Sequence, residues 1–261
     1  MAFTKQRQQK HLKSIGKSML RHLQSYFETG EPEELRRFRV KVKKMKALLA
    51  LAQQEVERTN FPQKFQPIRS VYQQAGKIRS GHLHVVLLDS YPLADPAFKQ
   101  LLINTIKGET DKFNTQREKH FKLVRKQLKN AAGTLKELSV RVVFHWFKKQ
   151  LKRLARFFAQ ESWKPEKLHK SRIKIKNLLY LYPMLPQSLI RKLSLKEAYL
   201  DQLQEILGAW HDVNSSLEWL KIQGFAKGAG LIKLQQEEER LLHSIRENTR
   251  DFAQKVVFQA T

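Results

Sequence analysis

Cysteine is absent from the 261 residues. This removes disulfides, thiolate metal sites and thiol nucleophiles together, and it fits a reducing compartment. Long apolar runs are absent too: no eighteen consecutive apolar residues occur, so no membrane-spanning helix is expected. The opening MAFTKQRQQK is basic but leads into no apolar segment, which argues against a secretory leader and for a soluble, cytoplasmic protein. Acid is scarce, with 24 Asp+Glu against 50 Lys+Arg and a formal charge of +26. Such an excess strains a compact fold by self-repulsion and attracts polyanions over a range set by ionic strength. Residues 201–261 carry seven Lys+Arg and nine Asp+Glu, so the excess sits in residues 1–200, which hold +28.

The usual marks of catalysis are also missing. There is no Walker-type Gly-rich loop, no G-x-S-x-G elbow, and no isolated pair of carboxylates beside the basic segments that could hold magnesium for phosphoryl transfer. Nine histidines provide no H-x-x-x-H pair, and His82 and His84 point to different sides of a helix. Neither an enzyme nor a metal or cofactor site is expected.

What remains is apolar residues, 41% of the chain, at helical spacing. Leu12, Ile15, Met19, Leu23 and Tyr26 share one face of a first helix, with Lys10, Lys13, Lys17 and Arg21 on the other. Gly30 and Pro32 break it. The next helix reads LRRFRVKVKKMKALLA at 35–50, with Leu35, Phe38, Val42, Met45 and Leu49 opposite Arg36, Arg39, Lys43 and Lys46, and Lys44 at the edge of that stripe. It is expected to end at Asn60–Pro62. A weaker helix over about 66–90 contains Gly76 and Gly81, each unfavourable by about 1 kcal/mol in a helix interior. After a turn at Ser90–Pro92, residues 96 to about 132 form one helix or a pair broken at Gly108, with Lys119, Lys122, Lys126 and Lys129 opposite Phe121, Val124 and Leu128.

From Leu138 the order restarts. Val140, Val143, Phe147, Leu151, Leu154 and Phe158 make an apolar face, and Arg141, His145, Lys149, Lys152 and Arg156 a polar one. Trp163–Pro165 takes the place of Gly30–Pro32, and a second motif helix, LHKSRIKIKNLLYLYP at 168–183, runs to Tyr182. Its His169, Arg172, Lys176 and Tyr182 lie 133 residues beyond Arg36, Arg39, Lys43 and Leu49. A long helix over 189–222 and a last one over 231–257, with Leu234, Leu241 and Ile245 inward, complete the chain. No stretch alternates long enough to predict a strand. QQAGKIRS at 73–80 also lies beside EILGAWHD at 205–212, bringing Gly76 opposite Gly208. The expectation is an all-α protein of two pseudo-symmetric four-helix bundles, residues 1–133 and 134–261, from an internal duplication.

The helix bearing His169, Arg172, Lys176 and Tyr180 resembles the H-x-x-R-x-x-x-[RK]-x-x-x-Y helix of the conserved histidine α-helical (CHAD) domains. LQEILGAWHDVNSSLEWL at 203–220 is similar to that family's L-Q-x-x-L-G-x-x-x-D helix. The resemblance covers nearly the whole chain. It implies two four-helix bundles about a pseudo-twofold axis with a basic surface or channel between them, binding of inorganic polyphosphate and, in bacteria, association with polyphosphate granules. The first repeat departs from the pattern, with Arg36 for the histidine and Ala47 for the tyrosine.

Polyphosphate is a flexible chain of anionic oxygens with no bases or sugars, and closely spaced donors along a groove suffice to hold it. The expected contacts are Lys13, Lys17, Arg21, Arg36, Arg39, Lys43, Lys44 and Lys46 in the first half. In the second they are Lys149, Lys152, Arg156, His169, Arg172, Lys176 and Tyr180, with His211 and Asp212 as a polar pair behind them. Trp210 reads as core. A single Lys/Arg stripe is an ordinary solvated face. Five with few interleaved carboxylates exceed what solubility requires, since solubilising charge mixes both signs. The leading expectation is non-catalytic polyphosphate binding in a basic groove formed by helices of both halves. The alternative is a general RNA or DNA binder, which charge alone favours but which lacks an aromatic platform on the basic faces.

Overall fold

The computed structural model describes residues 2–53, 65–91, 96–225 and 228–257, and their regular structure is almost entirely helical. The expected helix end at Asn60–Pro62 lies outside the described residues, as does Pro92 of the following turn. The chain divides into two compact units, Met1–Ser139 and Val140–Thr261.

In the first unit, α1 (Lys5–Thr29) starts where Thr4 Oγ1 accepts from the Arg7 N–H at 3.3 Å and ends at Gly30, whose φ of 72° is left-handed. A side chain there would be strained, so glycine makes the stop sharp. α2 (Pro32–Ala52) begins on Pro32, with Glu33 and Glu34 in its first turn beside the positive end of the helix. All five apolar residues assigned to the inner face of α1, and all five assigned to α2, are buried. A hydrogen-bonding contact joins these two helices: His22 Nδ1 lies 2.7 Å from Glu34 Oε2.

α3 (Gln66–Ser90) is continuous through both glycines, where a weakened helix was expected. The reason is close packing. A Cβ at Gly81 would lie 2.5 Å from Ile106 Cγ1, and one at Gly76 would overlap the Arg39 guanidinium. α4 (Pro96–Asn114) likewise runs straight through Gly108, and the break comes instead at Thr115–Gln116, before α5 (Arg117–Gly133). There Phe113 and His120 stack, ring centroids 4.2 Å apart, so an aromatic contact sets the bend. α1 packs on α2 and α5, and α3 packs on α2, α4 and α5. A two-residue antiparallel pair, β1 (Ala2–Phe3) with β2 (Leu138–Ser139), closes the unit; the sequence had no alternation to reveal it. Gln8 spans this seam, its Nε2 donating to the Phe3 and Lys136 carbonyls. That pairing keeps residues 134–139 with the first unit.

In the second unit, α6 (Val140–Phe158) buries the expected face apart from Val140, which is partly exposed. α7 (Pro165–Leu181) again begins on a proline, with Glu166 in its first turn, and passes into a 3-10 turn at Tyr182–Met184. The long helix expected over 189–222 is two: α8 (Gln187–Leu193) and α9 (Glu197–Ile222). Between them Ser194 takes a left-handed conformation, φ 46°, and Tyr182 ties the corner, donating to the Ile190 carbonyl and accepting from the Leu195 N–H. The last helix is divided in the same way, α10 (Ala229–Thr249) and α11 (Phe252–Lys255), with Asp251 left-handed at φ 57°. α9 packs on α7 and α10, and α6 on α7, α8 and α11.

Candidate functional site

Arg39 is the centre of the site in the first unit. Its helix position points it across α2 towards α3, where Nη1 donates to the Tyr72 carbonyl at 2.5 Å and Cζ stands 4.1 Å above the Tyr72 ring. It can lie so close to α3 only because residue 76 has no side chain. Lys46, two turns on, reaches the same ring, Nζ 4.7 Å from its centroid, and stands 5.2 Å from that of Phe65. Around Arg39 opens a cleft of about 640 Å³ lined by Ser70, Gln73, Gln74, Lys77 and Ser80 of α3. Beside Tyr72 and Gly76, its lining side chains are hydroxyl, amide and cationic, and no carboxylate is among them.

The electrostatics match this lining. Burial pushes the Arg39 guanidinium down from its usual value, Arg79 adds to the push, and Tyr72 opposes it. Lys46 is pushed down by burial first, then by the charges of Arg39 and Arg69; Lys44 by burial and then by Lys41. These groups stand among like charges, so an arriving anion relieves repulsion as well as making contacts.

Not every expected cation joins them. Arg36 is exposed and held by Glu33 through two bonds, Nε at 2.6 Å and Nη2 at 2.7 Å, so its charge is offset within its own helix. Lys13, Lys17 and Arg21 are exposed on α1, and no α1 residue lines the Arg39 cleft. Lys43 is half-buried on α2.

In the second unit Arg172 repeats the seat of Arg39. Its Nη2 would lie 3.3 Å from a Cβ at Gly208 of α9, so this helix too is approached by a guanidinium at a glycine. Beside it His169 of α7 stacks on His211 of α9, ring centroids 4.4 Å apart, and His211 Nδ1 lies 3.2 Å from Asp212 Oδ1. Lys176 and Tyr180 are half-buried on α7; Lys149, Lys152 and Arg156 are exposed on α6. Trp210 is buried in the core.

Sequence reasoning missed Tyr72, the residue on which two site cations rest. It also missed Lys174, pushed down by burial and then by Arg153 and Lys170, which marks a second basic cluster on α6 and α7. The four-residue step from Lys170 to Lys174 was a readable signal for the cluster. Tyr72 had none, because its contacts cross from one helix to another. Among the described residues, no group of three or more His, Asp or Glu is placed to hold a metal, and no helix is long and apolar enough to cross a membrane.

The CHAD domain family model matches residues 14–221. The fold is similar to that in the crystal structure of the CHAD domain from the plant Ricinus communis, with a TM-score of 0.65 and 17% sequence identity over 94% of this chain and 91% of that one. No curated protein matches the chain. The family model spans both arginine seats and the helices that carry them, and by that match the chain belongs to the CHAD domain family.

Proposed function

We propose that the protein binds inorganic polyphosphate without transforming it, each unit offering a basic face built around an arginine seated on a glycine. One observation carries this reading above the others: in each unit an arginine of the motif helix approaches a glycine of a neighbouring helix, Arg39 at Gly76 and Arg172 at Gly208. An arginine held against a helix backbone has lost much of its rotamer freedom, so a guanidinium hydrogen not used within the protein meets a phosphoryl oxygen at a lower entropic cost. The recurrence also supports descent of both units from one duplicated helical unit. The closed packing order α1–α2–α3–α5 supports a four-helix reading of the first, with α4 added at its side.

A linear polyanion suits such faces better than a compact ligand does, because exposed cations also run along α1 in the first unit and along α6 in the second. The carboxylates needed to hold magnesium for phosphoryl transfer are not among the residues lining the cleft, which favours gripping over hydrolysis. Association with polyphosphate granules follows if the ligand is long-chain. Filter binding with long-chain polyphosphate in the presence of excess duplex DNA tests the reading. Retention of polyphosphate is expected; competition by DNA at equal or lower concentration would indicate a general nucleic-acid binder instead.

A further inference from the structure

Two cations of α2 share one aromatic ring. Arg39 Cζ and Lys46 Nζ stand 4.1 and 4.7 Å from the Tyr72 centroid, so they are at most 8.8 Å apart. Like charges at that range repel, and both side chains are long enough to separate into solvent. What opposes this is Tyr72: the negative face of its ring attracts each cation, and its carbonyl oxygen takes a hydrogen bond from Arg39 Nη1. The residue belongs to α3, one turn before Gly76, so the ring that draws the guanidinium in and the gap that admits it lie on the same helix.

The second unit has no tyrosine at the corresponding place on its helix. In the register that sets Gly76 beside Gly208, Tyr72 falls opposite Gln204, whose amide turns to Asp201 at 3.4 Å. Arg172 keeps the glycine seat, but what stacks beside it is the imidazole pair of His169 and His211.

We infer that Tyr72 is a positioning residue for the anion site. It holds Arg39 and Lys46 as a preset pair, so that neighbouring phosphoryl groups of one polyphosphate chain meet two cations that need not first be gathered. The inference rests on the polyphosphate reading above. Preorganisation of this kind raises affinity by removing the entropy of ordering two long side chains on binding. It leaves the number of phosphates neutralised unchanged.

Filter binding of long-chain polyphosphate to the full-length protein tests it, with Tyr72→Phe, Tyr72→Leu, the pair Arg39→Ala/Lys46→Ala, and the triple variant that adds Tyr72→Leu to that pair. Phe keeps the ring and should bind within about twofold of wild type. Leu keeps bulk but no quadrupole and should bind about five- to tenfold more weakly, with an unaltered salt slope. In the triple variant, Tyr72→Leu should add no further loss, because the cations through which it acts are gone. Wild-type affinity in Tyr72→Leu overturns the inference, and so does an equal loss with and without Arg39 and Lys46. Tyr72→Met, also without a ring, replaces Leu if that variant does not fold, and wild-type affinity in it has the same meaning. Failure of the wild-type protein to bind polyphosphate would overturn the functional reading itself, and this inference with it.

Discussion

Gly76 and Gly208 occupy similar places but differ in how closely they are approached. At Gly76 an added Cβ would overlap Arg39 Nη1 and lie 2.9 Å from its Cζ; at Gly208 the nearest arginine atom would be 3.3 Å away. Alanine also favours a helix interior over glycine by about 1 kcal/mol. The two effects pull apart at residue 76, because the obstructing atoms end a flexible side chain that can move aside. Gly76→Ala is expected to leave the unfolding midpoint within a few degrees of wild type while weakening polyphosphate binding severalfold, since the displaced Arg39 leaves Tyr72. Gly208→Ala should change affinity less than twofold. Calorimetry and filter binding on both variants check this. From sequence alone, Gly76 counted against a straight α3, because propensity is summed along one helix and the guanidinium that fills the gap comes from another. Arg36 shows a related limit of the sequence. Its place on the cationic stripe was legible, but its capture by Glu33 depends on which of several nearby cations that carboxylate takes.

At the scale of elements, faces were easier to read than ends. The buried faces of α1, α2 and α6 follow from spacing, because burial of one side of a helix repeats with its turn. The breaks at Thr115–Gln116 and Ser194 come from tertiary contacts, a Phe113–His120 stack and a Tyr182 hydroxyl, that no local pattern encodes. His120 also makes the α4–α5 corner sensitive to acid. It is 1% exposed, and burial, with some help from Lys119, pushes its pKa down to about 4, which the Phe113 backbone only partly opposes. Its pKa is therefore lower folded than unfolded. The stability it contributes as a neutral ring is complete above pH of about 6.5 and is lost as pH falls towards 4, on the order of 3 kcal/mol across that window. Urea unfolding at pH 7 and near pH 4 should show His120→Phe losing less stability than wild type by a margin of that order; equal losses would contradict it.

For the whole molecule the dominant fact is charge. A formal +26, with few acids among residues 1–200, means that folding gathers like charges that the unfolded chain keeps apart. Raising salt from about 20 to about 500 mM should therefore raise the unfolding midpoint by several degrees, because the screening length falls from tens of ångströms to a few. Polyphosphate should do the same at far lower ionic strength by binding the folded state. An all-α chain with its basic excess in the first three quarters was legible in the sequence. The two compact units meet at Ser139–Val140, a place set by the short strand pair, which leaves no periodic trace in a chain read for helices.

That strand pair also imposes an order in time. The strand partners of Ala2 and Phe3 are Ser139 and Leu138, and Gln8 takes one of its two carbonyl partners from Lys136. During synthesis at about 5–20 residues per second, Phe3 must wait roughly 7 to 27 s before the residue that covers it exists. α1 and α2 can pair as soon as they emerge, but the strand that holds the buried Phe3 is completed only when the end of the first unit has been made. Phe3 is thus completed long after its own synthesis, and for that interval this apolar side chain is open to whatever else binds nascent chains.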